Sequence, residues 1–139
     1  MAMAVRWASR TATAALVVIG LASVRVAAGF ILDPLATAGR MGLAPASIEA
    51  LDALRAPMAG FHLAMAGVAA LGVVGRLRRS TALGLVGGIA VTIALLRLGA
   101  AALHGYGLLS NHALYGEALA VVLAMAGLQA DRMSRPPPS

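Results

Sequence analysis

Four stretches of this chain are long and apolar enough to cross a lipid bilayer, and nothing else in the sequence constrains the fold as strongly. A spanning helix needs about 20 mostly apolar residues. Residues 11–32, 56–75, 81–103 and 113–130 each meet that requirement. The expected architecture is all-α: a polytopic membrane protein folded as a four-helix antiparallel transmembrane bundle with short loops. Residues 1–10 then form a cytoplasmic N-terminus, 11–130 the membrane domain, and 131–139 a disordered cytoplasmic tail ending in Arg-Pro-Pro-Pro-Ser.

Composition agrees. The 139 residues are 60% hydrophobic and 12% charged, with 16 glycines in addition and no cysteine. A soluble domain carries about 45–50% apolar residues with glycine included, and about 25% charged. A disordered chain, a disulfide scaffold and any cysteine-based zinc or redox site are excluded. An ordinary soluble enzyme fits poorly.

Turn chemistry falls between the spans. Asp33-Pro34, Gly39, Gly42 and Pro45 end the first span and open a loop, and Arg76 to Ser80 separates spans two and three. His104-Gly105-Tyr106-Gly107 separates three and four, with Asn111 placed to cap the last helix. Residues 47–55 read as a short extra helix, Ser47 as N-cap and Glu49 and Asp52 in its first turns. Pro57 either kinks that helix or starts span two.

All 11 basic residues are arginine, and their placement explains the net charge of +6. Arg6, Arg10, Arg76, Arg78, Arg79, Arg132 and Arg135 fall on one side of the four spans. The loops of the other side hold Arg40, with Asp33, Glu49 and Asp52 nearby. The positive-inside rule makes both termini cytoplasmic. Nucleic acid is no partner for this charge, since 4% aromatic residues offer almost nothing for bases to stack on. An alternative for the first span is a cleaved secretory signal ending Val26-Ala27-Ala28, against which Arg25 and the continuing apolar run weigh.

Four ionisable residues lie within or at the edges of the spans: Arg25, Arg55, Arg97 and Glu117. A charge at the bilayer centre costs roughly 2.5–3.5 kcal/mol on insertion scales, so such residues usually face the bundle interior. At about 1.5 Å per residue, all four fall in the outer third, from four different helices. Arg55 and His62 are seven apart, as are Arg97 and His104, two turns on one face. The candidate ligand-binding cluster is therefore Arg25, Arg55, His62, Arg97 and Glu117. Three guanidiniums against one carboxylate leave two positive charges for water, a lipid headgroup or an anionic ligand to balance. The plainer reading is that the charges are pinning pairs that set helix register, with Arg25 and Arg55 snorkelling to headgroups.

His62 is the one histidine deep in a span, and a haem there would want a second axial ligand at similar depth, with Met58 or Met65 as the candidates. No catalytic residue is assigned: phosphate loop, nucleophile elbow and paired carboxylates are all absent from the sequence. Gly84 and Gly88 form a G-x-x-x-G, and Gly60, Ala64, Gly67 and Gly72 make helix two small-sided, which suits internal packing better than a dimer seam.

Gly29-Phe30-Ile31-Leu32-Asp33-Pro34, Leu54-Arg55-Ala56, Arg97 and Gly116-Glu117-Ala118 together resemble a family of small bacterial four-span membrane proteins, domain of unknown function 4345, broadly similar to the DoxX-like group. The likeness covers about residues 29–127. It implies the four-helix fold, a bacterial inner-membrane location and the set Arg55, Arg97 and Glu117, and it supplies no activity. Three functions follow as expectations. The first is a bundle whose cluster binds a lipid headgroup, quinone or small anion. The second is an accessory subunit docking onto a membrane-protein partner or a second copy, and the third a redox or transport component.

Overall fold

A computed structural model describes residues 2–104 and 112–134. The described residues form five helices: α1 (Ala2–Leu32), α2 (Pro34–Arg40), α3 (Ile48–Val73), α4 (Arg79–His104) and α5 (His112–Met133). Four of them, all but α2, are long and apolar enough to cross a membrane. The expected Asn111 cap, the turn at 105–107 and the tail from 135 onward lie outside the described residues.

The helices run longer than the apolar stretches. α1 starts at Ala2 rather than near residue 11, and Thr11 and Thr13 sit inside the helix with their hydroxyls donating back to the carbonyls of Trp7 and Ser9. At the other end of the chain, α5 runs on to Met133 and buries Asp131, so residues 131–133 are helical. α3 is continuous from Ile48, with Pro57 inside it. Ser47 caps it as expected, its hydroxyl accepting from the Ala50 N–H at 3.2 Å. The stretch after Asp33, expected as loop, is helical over Pro34–Arg40. Asp33 Oδ1 accepts from the Ala36 N–H at 3.2 Å and Pro34 occupies the first turn, where its missing N–H is no loss. Asp-Pro here starts a helix as well as ending one.

α1 packs along α3 and α4 along α5, and the two pairs join through α1–α5 and α3–α4 contacts. The buried interior is mainly small: Ala12, Ala15, Ala69, Ala82 and Ala124 are at most 5% exposed, while Leu21, Leu96 and Leu103 are 66%, 69% and 83% exposed. Water would penalise that inversion, whereas hydrocarbon does not, since lipid tails are as apolar as leucine and only close packing draws helices together. The protein is a multi-pass membrane protein.

Close approaches occur at particular glycines. A Cβ on Gly87 would lie 2.8 Å from Ala124 Cβ, and one on Gly127 would lie 2.9 Å from Leu83 Cδ2 and 3.1 Å from Ala15 Cβ. Gly72 likewise faces Ala82 and Leu16. Gly60, Gly67, Gly84 and Gly88 have nothing within 4 Å of such a Cβ, so the G-x-x-x-G faces outward and is not the internal packing seam.

The core forms three layers along the bundle. Ala12, Ala15, Leu16, Ala69, Ala82 and Leu83 fill the end away from α2. Ile19, Met65, Val86 and Ala124 fill the middle. At the α2 end, Phe30, Ala38 and Ala59 bind α1, α2 and α3 together, with no residue from α4 or α5 in that cluster. Among the described residues the α4–α5 pair takes no part in this cluster, and a cavity lies beside it.

Candidate functional site

That cavity has a volume of about 580 Å³, within the range of small-molecule sites. All four long helices and the end of α2 contribute to its wall. Most of the lining is apolar, including Ile19, Val26, Met58, Phe61, Met65, Ile93 and Leu123. The polar exceptions are Ser23 from α1, Arg40 from the end of α2, His62 from α3, Arg97 from α4 and Glu117 from α5.

Arg97 and Glu117 form an ion pair, Nε donating to Oε1 at 2.6 Å, with side chains 23% and 15% exposed. This pair joins α4 to α5 at the level where the apolar layers stop. Two buried side-chain atoms among the described residues have no hydrogen-bond partner, Glu117 Oε2 and His62 Nδ1, and both residues belong to the cavity wall. Phe61 packs edge-on to the His62 ring, centroids 5.2 Å apart. Such orphaned atoms typically cost about 1–3 kcal/mol each, and both of these belong to the wall of the same cavity.

Of the five residues singled out from the sequence, the fold brings together His62, Arg97 and Glu117. Arg25 and Arg55 are exposed and do not line the cavity. Arg25 follows buried Ser23 by two residues, about 200° around a helix with 3.6 residues per turn, and so is turned away from the bundle axis. Arg55 reaches across to α1 instead, its Nη2 donating to the Ile31 carbonyl at 2.6 Å, one of the last carbonyls of that helix. In their place the cavity has Arg40, whose Nη2 donates to Thr37 Oγ1 at 3.0 Å. Sequence reasoning missed Arg40 by treating its segment as loop; the signal was the Asp33-Pro34 helix start six residues earlier. Ser23 was missed because a lone serine in a span carries no periodic signal. The site's formal charge is accordingly +1, from Arg40 and Arg97 against Glu117.

The exposed members of the wall define the mouth. Val18 and Ala22 on α1, Gly116 and Leu119 on α5, and Arg40 are exposed, whereas the residues contributed by α3 and α4 are not. α1 and α5 meet closely toward the other end, where Ala15 approaches Gly127. The opening is therefore on the α1–α5 side of the bundle.

Met58 and Met65 lie one turn either side of His62 on the same helix, so they share its wall instead of opposing it as a second axial ligand would. Among the described residues no three His, Asp or Glu side chains come together to hold a metal ion. Compared with known protein families, with curated proteins and with solved structures, the chain matches none.

Proposed function

We propose that this protein binds a membrane-borne amphiphile, taken from the bilayer through the α1–α5 opening, with its head against Arg97, Glu117 and His62 and its apolar part along the remaining wall. One observation carries the reading: both orphaned buried atoms, Glu117 Oε2 and His62 Nδ1, belong to the wall of one largely apolar, laterally open cavity. A purely structural pin would close over its partners and would need no such space. Lipids and quinones are the bilayer molecules of suitable shape. No reaction is assigned, and the site acts by binding.

We further infer that the termini are cytoplasmic and that the cavity opens toward the outer leaflet of a bacterial inner membrane. Seven arginines flank the spans on one side against Arg40 on the other, and cytoplasmic loops carry the arginine excess. The resemblance to the four-span family is part of this reading, resting on the residues quoted for it. A phosphatase reporter fused after Ser139 will be inactive, and one inserted near Gly42 active; the opposite pattern would reverse the sidedness.

The binding reading is tested by native mass spectrometry of protein released from nanodiscs made with the expression host's lipid extract. Wild type should retain a defined adduct. Ala22→Trp, which fills the mouth, and Ala120→Phe, which fills the wall, should lose it while keeping the wild-type helix content and a cooperative melt. A wild type without adducts, or adducts equal in all three proteins, would end this reading.

A further inference from the structure

The chemistry of the orphaned atoms also specifies the head of the ligand. We infer that the head is an uncharged hydroxyl donor, of the kind carried by an alkylated phenol or a reduced quinone; the inference rests on the amphiphile reading above.

Glu117 Oε1 is occupied by Arg97 Nε, and Oε2 is buried without a partner. The carboxylate of an ion pair offers only acceptor sites. Whatever completes Oε2 must therefore donate a proton to it, in a charge-assisted hydrogen bond of the stronger kind. An anionic head fails that requirement, because it would set its own oxygens against the carboxylate. The cations nearby do not reverse the preference. Arg97 and Arg40 keep further N–H donors, but among the described residues the side-chain atoms left buried without a partner are Glu117 Oε2 and His62 Nδ1, and no guanidinium nitrogen is among them. Head groups that only accept, such as an ester or the carbonyls of an oxidised quinone, can pair with His62 or an arginine but leave Glu117 Oε2 unmatched.

His62 adds tolerance. The Nδ1 of a neutral imidazole donates or accepts according to its tautomer, so it suits either a second hydroxyl or an ether on the same head. Around these two atoms the wall is apolar, as Ile19, Phe61, Met65 and Ile93 show, and an aromatic ring or alkyl chain fills it without leaving further polar groups unmatched. Removing the O–H proton while keeping the shape should then be the most damaging small change to a ligand.

The test uses the full chain in nanodiscs and a matched pair of probes, 4-nonylphenol and 4-nonylanisole, which differ in that one proton being replaced by methyl. Dodecyl phosphate serves as the anionic arm. Melting temperature is followed against the mole fraction of each probe, since a ligand of the folded state raises it by mass action. The phenol should act at a mole fraction at least about tenfold lower than the anisole, the discrimination expected for a hydrogen bond to a charged group. In Arg97→Gln/Glu117→Gln the preference should shrink to within about twofold, because an amide offers a donor of its own.

A second measurement leaves the site intact. The chain has two glutamates, Glu49 and Glu117. In Glu49→Gln protein labelled with carbon-13 at the glutamate carboxyl, the single remaining resonance should move with the phenol and stay in place with the anisole. Equal action of phenol and anisole, a resonance indifferent to both, or dodecyl phosphate acting below the phenol would overturn the donor inference and leave amphiphile binding standing. If none of the three probes raises the melting temperature and the native spectrum shows no adduct, both readings fall together.

Discussion

Breaking one side of the Arg97–Glu117 pair should destabilise the bundle more than removing both charges. With Nε and Oε1 at 2.6 Å, the charge centres lie roughly 4 Å apart, which corresponds to about 4 kcal/mol at the effective dielectric of about 20 that suits protein sites. Glu117→Gln keeps a carbonyl for Nε but leaves a guanidinium that stays charged at any accessible pH. Truncation of a buried pair typically costs about 3–5 kcal/mol. The two side chains, 23% and 15% exposed beside an open cavity, belong at the lower end of that range, about 3 kcal/mol. At about 2–4 °C per kcal/mol for a chain near this size, the melting temperature falls by about 10 °C. Arg97→Gln should act similarly by stranding the carboxylate. The double variant, with no charge left to strand, should lose only about 1 kcal/mol, as neutral replacements of buried ion pairs usually do. Circular dichroism melts of the four proteins in one mild detergent give the coupling energy directly, which should exceed about 2 kcal/mol. Additive losses, with the double variant at the sum of the two singles, would show that the short distance between these groups carries no energetic pairing.

Other predictions follow from packing and capping. Gly87→Ala should destabilise by about 1–3 kcal/mol, since the added Cβ meets Ala124 Cβ at 2.8 Å and only helix separation relieves it, whereas Gly84→Ala should be neutral or stabilising by up to about 1 kcal/mol; thermal melts of the pair check both signs. Ser47→Ala and Asp33→Ala should each cost about 1 kcal/mol through a lost N-cap, and hydrogen exchange should rise in the first turns of α3 and α2 respectively. Arg25→Met and Arg55→Met should leave the adduct in the native mass spectrum unchanged, because neither residue lines the cavity; loss of the adduct in either would place that residue in the site after all.

The sequence alone determined the number of spans, the side on which basic residues gather and the presence of charges that hydrocarbon does not tolerate without partners. These are properties of composition over windows of about 20 residues, and they do not depend on which helix meets which. Local chemistry was legible as well, in the Ser47 cap and in the pairing expected of Glu117 with an arginine. Two arginines in nearly the same local context, Val24-Arg25-Val26 and Leu96-Arg97-Leu98, came to opposite fates. One is exposed on α1 and the other is paired on α4. Depth along the membrane is readable from residue counting, because helices rise uniformly. Azimuth around the bundle axis is not, because it depends on which faces the neighbouring helices take. An alanine-rich helix presents several nearly equivalent faces, so glycine contacts at Gly72, Gly87 and Gly127 set the rotation instead of a hydrophobic stripe. Tertiary structure therefore decided that Arg40 enters the cavity, that Arg25 and Arg55 stay outside it, and that the opening lies between α1 and α5. It did so by close packing of small residues, an interaction short in range and invisible to any pattern along one chain segment.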